Sequence, residues 1–227
     1  VLDGVIVSGG RASELTSQTG AGGGLFCDGQ GSGNACSPAL TEITFTSNSA
    51  LIAGGAIYNN GNDGGTSSPQ VTNVVFAGNS ADSQGGAIFN YGRDGTSSPV
   101  ITNVVFADNS ADFFGGAIYN YGLQGKSTPQ ITNVTFTGNT VGDRGGAIYN
   151  DGRNGGMTRP QITNSILWGN DASDDGNEIY NSDATPTLAH TLIESGVNGS
   201  GVGGEAITDG GNNLDADPLF VDASDPA

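Results

Sequence analysis

Cations are scarce in this chain, and so are long apolar runs, helical periodicity and cysteine. Six Lys and Arg face twenty-three Asp and Glu, for a formal net charge of -17. Nucleic acid and anionic membrane surfaces both need a cationic footprint, so neither is an expected partner. No apolar run approaches the roughly 20 residues that cross a bilayer, and this segment is expected not to insert into one. No window repeats apolar residues at i, i+3, i+4 and i+7, which removes amphipathic helix from the reading. The single histidine, His190, has no Ser or Cys partner to suggest a nucleophilic dyad, and reads as structural. Cys27 and Cys36 lie nine apart in a Gly/Ser-rich loop with no metal-ligand residue beside them and without C-x-x-C spacing. A local disulfide is the reading that fits, and it points to an oxidising compartment.

Forty glycines are present, and they recur at fixed phases beside Val, Ile and Phe, so they mark turns in an ordered structure. Gly-Gly-Ala-Ile begins at Gly54, Gly85, Gly115 and Gly145, in steps of 31, 30 and 30 residues. Phe-x-x-Asn keeps the same phase at Phe45/Asn48, Phe76/Asn79, Phe106/Asn109 and Phe136/Asn139, and decays to Leu167/Asn170. Pro38, Pro69, Pro99, Pro129 and Pro160 form a third marker. A fixed period of this length is the signature of a solenoid.

Each unit holds two short β-rich runs bounded by Gly, Asn, Ser and Pro, so the fold class is all-β. A parallel β-helix follows, one coil per unit, with successive coils about 4.8 Å apart and equivalent residues stacked as ladders. Phe45, Phe76, Phe106 and Phe136 are expected to form one interior ladder. Asn48, Asn79, Asn109, Asn139 and Asn170 are expected to form another, each amide bonding its neighbours along the axis. Counting from Val1 gives about seven coils of roughly 30 residues and a body on the order of 35 Å long. The chain reads as one domain over 1–227: a first coil with its disulfide loop at 1–40, regular repeats at 41–170 and irregular terminal coils at 171–227. The opening VLDGVIV already reads as a strand, so a segment of a longer chain is expected.

The pairing of GGAIYN with FTSN, FAGN, FADN and FTGN resembles the repeat of the polymorphic outer membrane proteins of chlamydiae, and of secreted bacterial β-helix proteins that carry the same motif. The tail NNLDADPLF is similar to the closing segment of such proteins. The resemblance implies a right-handed parallel β-helix, secreted or on a bacterial cell surface, with adhesion the usual role. Enzymes of pectate-lyase-like fold also resemble this architecture, and use carboxylates to hold Ca²⁺ with an Arg or Lys as base.

Candidate sites are few. Asp82, Asp112 and Asp143 lie at nearly one phase, as do Arg93 and Arg153 in the loops, and repeated positions read as solvated turn residues. Asp171, Asp174 and Asp175, and separately Asp215, Asp217 and Asp222, are the densest acidic groups and the candidate Ca²⁺ ligands. Neither group has the spacing of an EF-hand or of the glycine-rich nonapeptide, so solvation is the simpler account. Tyr58, Phe89, Tyr119, Tyr149 and Tyr180, preceded by Phe26, form an aromatic row expected to face outward if the Ile row faces in. Such a row can stack on sugar rings or on a protein partner. Asn133-Val134-Thr135 and Asn198-Gly199-Ser200 match the glycosylation sequon. The function expected is that of a non-enzymatic adhesin, passenger or extracellular scaffold that meets a glycan, a cell-surface protein or copies of itself. A self-assembling filament subunit and a polysaccharide lyase or hydrolase are the alternatives.

Overall fold

The β-branched runs of each unit become strands, and every unit lays its strands on those of the unit before. The computed structural model describes residues 1–16 and 19–220. Among them no helix occurs, and the pairings within all the principal sheets are parallel. The broadest sheet has twelve strands and includes Gln70–Ala77, Val100–Ala107 and Gln130–Thr137. A seven-stranded sheet runs from Leu25–Asp28 through Ile57–Asn60, Ile88–Tyr91, Ile118–Tyr121, Ile148–Asp151 and Ile179–Ser182 to Val202–Gly204. Six two-residue strands make a third ladder, with Ser80–Ala81 and Ser110–Ala111 near its middle.

In the seven-stranded sheet Leu25 pairs with Ile57, then Ile57 with Ile88, Ile88 with Ile118, Ile118 with Ile148 and Ile148 with Ile179, steps of 32, 31, 30, 30 and 31 residues. Five full turns are therefore present among the described residues, where about seven coils were expected. The next pairing, Ile179 with Val202, spans only 23 residues, because the closing segment lacks the long loop between strands.

The double glycine of each unit has a steric cause. The first takes a left-handed φ, +63° at Gly85 and +67° at Gly115, which glycine adopts without a Cβ clash. The second packs against backbone of the next turn: a Cβ on Gly86 would lie 2.2 Å from the Gly116 carbonyl oxygen. Inside, the phenyl rings of Phe45, Phe76, Phe106 and Phe136 stack at centroid distances of 5.0, 4.8 and 4.8 Å, nearly parallel. Ile57, Ile88, Ile118 and Ile148 join them in one continuous buried core.

Two amide ladders run beside that core. Asn48 Nδ2 donates to Asn79 Oδ1 at 3.0 Å, and the series continues through Asn109, Asn139 and Asn170 at 2.9, 2.9 and 2.7 Å. Each backbone N–H from Asn48 to Asn139 also donates to the next Asn Oδ1, so no polar atom of these side chains is stranded. The second ladder joins Asn59, Asn90, Asn120, Asn150 and Asn181 at 2.8–2.9 Å. Its signal in the sequence is the Asn that ends each AIYN or AIFN run at a constant phase. The ladder starts at Asn59 because Cys27 holds the equivalent place one turn earlier, and Asn59 Oδ1 accordingly has no donor.

Candidate functional site

Alternation along the seven-stranded sheet turns Ile and Asn inward and sends the intervening residues to the outer face. That face carries two adjacent rows. One is the aromatic row, and the other, two residues further on, runs Asn60, Tyr91, Tyr121, Asp151 in direct register. On the opposite flank a ladder of isolated bridges sets Ala53, Gln84, Phe114 and Arg144 one above another, just before each double glycine.

The expected open aromatic row is corrected by this arrangement. Tyr58, Phe89, Tyr119 and Tyr149 are only 2–5% exposed, and Tyr180 is half-buried. The row does leave the Phe and Ile core, but the flanking ladders cover it from both sides: Tyr119 lies 6.1 Å from Phe114 and 5.8 Å from Tyr121, ring centre to ring centre. The rings also cover one another at 5.0–5.1 Å, alternately stacked and edge-on. The outcome is a second apolar cluster outside the first.

Between the flanks a cavity of about 320 Å³ opens to solvent. Phe89 and Tyr119 make its floor, the half-exposed pair Tyr91 and Tyr121 one wall, and Gln84 and Phe114 the other. The wall rings stack at 5.5 Å and 8°. Arg153 closes one end. Its guanidinium is held by Asp151, which is fully buried: Nε donates to Oδ1 at 3.0 Å and an outer nitrogen to Oδ2 at 2.6 Å. The Tyr119 hydroxyl donates to the same carboxylate at 2.9 Å. A buried charge with this set of donors is satisfied, and it fixes both partners in place.

Burial, followed by the charge of Asp151, holds the Tyr119 hydroxyl well above the usual phenol range, and pushes Tyr149 up to about 12. Tyr121 moves the same way for the same two reasons. The hydrogen bond to Asp151 raises Arg153 further above its already high value. Around neutral pH the Tyr119 and Tyr121 hydroxyls are therefore uncharged, with the paired Arg153 at the end.

Sequence reasoning took Arg153 for a solvated turn residue and passed over Tyr91, Tyr121, Gln84 and Phe114. A signal existed, since Tyr follows Asn after one AIFN and one AIYN run, but only the fold shows which rows become neighbours.

The Chlamydia polymorphic membrane protein (PMP) repeat model matches residues 42–60, 73–91, 103–121 and 133–151. Each matched segment ends at the outer row just described, on Asn60, Tyr91, Tyr121 or Asp151. The chain is a parallel β-solenoid, and four of its turns are similar to the PMP repeat. No curated protein and no solved structure matches it.

The solenoid scatters the remaining candidates. Asp174 takes Arg144 at 2.7 Å, Asp175 Oδ1 accepts the Gly176 amide at 2.8 Å, and Asp171 lies exposed in a two-residue strand. Asp215 Oδ1 accepts the Ser195 amide at 3.1 Å and Asp217 Oδ1 the Leu219 amide at 2.8 Å, while Asp222 falls outside the described residues. Among the described residues no three His, Cys, Asp or Glu side chains converge as a metal site. Asp82 and Asp112 are exposed, and Asp143 sits 3.6 Å from Arg144. Arg93 pairs with Asp94 at 3.3 Å, and His190 meets Asn212 at 3.0 Å. Cys27 and Cys36 are bonded, with Cα atoms 5.5 Å apart. Of the sequon residues, Asn133 donates to Asn103 at 3.1 Å and Asn198 is exposed.

Proposed function

We propose that this solenoid is a surface-displayed or secreted module that acts as a non-enzymatic adhesin or passenger and grips its partner through the aromatic groove. The observation that carries the reading is the cavity itself. Other solvent-open spaces, of about 430 and 340 Å³, have no aromatic lining, whereas here successive turns hold aromatic walls apart and leave a space of about 320 Å³ between them. A concave apolar site with a few placed polar groups is the form that ligand sites take. The PMP repeat supports a surface or secreted location, as the family's description names a membrane protein.

A binding role also fits the acids better than catalysis does. Asp82, Asp112 and Asp143 recur one to a turn and form no single cluster, and Asp143 is tied to Arg144 as a salt bridge. The experiment is a binding assay of the purified chain on cultured cells and on immobilised glycans. Replacing Tyr91 and Tyr121 together by Ser should abolish retention, while Asp82→Asn with Asp112→Asn leaves it intact. Retention that survives loss of both tyrosines, in a variant with an unchanged far-UV spectrum, would sink the reading.

A further inference from the structure

We propose that Tyr91 and Tyr121 are the site of a dityrosine cross-link that staples two successive turns, formed when a haem peroxidase with hydrogen peroxide oxidises the folded chain. The proposal goes beyond the groove's binding role and does not depend on it. Three observations carry it.

The first is pairing. Tyr91 and Tyr121 stand opposite one another in register on adjacent parallel strands, and their rings stack at 5.5 Å and 8°. In the same row Asn60 lies one turn before and Asp151 one turn after, so the couple has no third tyrosine beside it in that row. The second is exposure. Both rings are half-exposed, and exposed side chains turn about their torsions in picoseconds to nanoseconds, so the outer edges of the two rings can meet. Tyr58, Tyr119 and Tyr149 are 2–4% exposed and packed into the second apolar cluster, where close packing denies them that turn.

The third observation is supply. All six tyrosines of the chain form one connected set. Ring centres lie 5.9 Å apart from Tyr58 to Tyr91, 5.8 Å from Tyr121 to Tyr119, and 5.1 Å both from Tyr119 to Tyr149 and from Tyr149 to Tyr180. At these separations an electron passes from ring to ring, so oxidation that begins at a buried phenol ends at the surface pair. Tyr119 carries its own proton acceptor for such a step, the Asp151 carboxylate at 2.9 Å.

The chemistry balances. In two one-electron steps Tyr91 and Tyr121 each give up an electron and the phenolic proton, and the phenoxyls that result carry unpaired spin on the ring carbons beside the oxygen. One such carbon of each ring bonds to the other, and the two hydrogens displaced from those carbons move to the oxygens and restore both phenols. Hydrogen peroxide takes the two electrons and two protons and leaves as two waters. Adjacency on neighbouring turns favours this bond over one to a tyrosine of another molecule.

The test treats the dilute, purified chain with a haem peroxidase and one equivalent of hydrogen peroxide. Expected is a monomer lighter by two hydrogens, with dityrosine fluorescence and, after digestion, a fragment in which tandem mass spectrometry joins Tyr91 to Tyr121. Tyr121→Phe keeps the stacked ring and should cut the fluorescence at least about tenfold, while Tyr180→Phe leaves most of it. Covalent dimers in place of the lighter monomer, a cross-link between other tyrosines, or the absence of dityrosine would each overturn the proposal. So would a yield unchanged by Tyr121→Phe in a variant whose far-UV spectrum matches the parent.

Discussion

At the phase where earlier units carry Ala56, Ala87, Ala117 and Ala147, the last regular turn carries Glu178. The change finishes the Asn ladder. Asn170 has no further Asn above it, and the Glu178 carboxyl takes its place, accepting from Asn170 Nδ2 at 2.6 Å and from the Asn170 amide at 3.3 Å. The group is fully buried, and burial, opposed in part by those hydrogen bonds and assisted by nearby Glu194, pushes its pKa up to about 8. An unfolded glutamic acid ionises near 4.5, so between about 4.5 and 8 the folded chain keeps a proton that the unfolded chain has lost. Stability then falls as pH rises through that window, by at most about 1.4 kcal/mol per unit, and levels off above it. Glu178→Gln keeps an acceptor for Asn170 and has no proton to lose. Urea midpoints measured from pH 5 to pH 9 should decline for the parent chain and lie nearly flat for the variant. Parallel declines would mean that other groups set the slope.

A turn of this solenoid is held by contacts with the turns on either side, and its strands show why the repeat motif tolerates so little. Asn109 gives and receives along the ladder: Oδ1 accepts from the Asn79 amide and side chain, and Nδ2 donates to Phe76 O and to Asn139 Oδ1. Asn109→Ala strands at least two buried donors on Asn79, at about 1–3 kcal/mol each. A loss of about 2–5 kcal/mol in denaturant unfolding is expected, and a loss below about 1 kcal/mol would show that water enters to replace the amide. Much of this was legible without coordinates. A constant Phe-x-x-Asn at one phase permits few arrangements other than stacked rings and stacked amides, since an isolated buried amide would be unsatisfied. The burial of the aromatic row was not legible. Alternation says which side of a strand a residue leaves from, but not whether a neighbouring ladder, here Phe114 on one flank and Tyr121 on the other, covers it afterwards.

Over the whole molecule, stability is a sum of neighbouring-turn terms and not a property of one core. The Cys27–Cys36 bridge closes a loop in the first full turn only, so its contribution, about 3 kcal/mol for a loop of this length, should stay there. Reduction is expected to speed hydrogen exchange around Cys27–Thr41 while Phe106 and Phe136 amides keep their protection. Equal loss of protection at both places would mean that the solenoid melts as one unit. The period, the all-β class and the identity of the inward-facing ladders follow from the order of residues alone, because a strand has only two faces and a fixed repeat stacks like on like. The number of full turns, the cap at Glu178 and the groove were decided in three dimensions. Each depends on residues tens of positions apart, on different ladders, whose distance is set by how tightly the double glycines let one turn settle on the next.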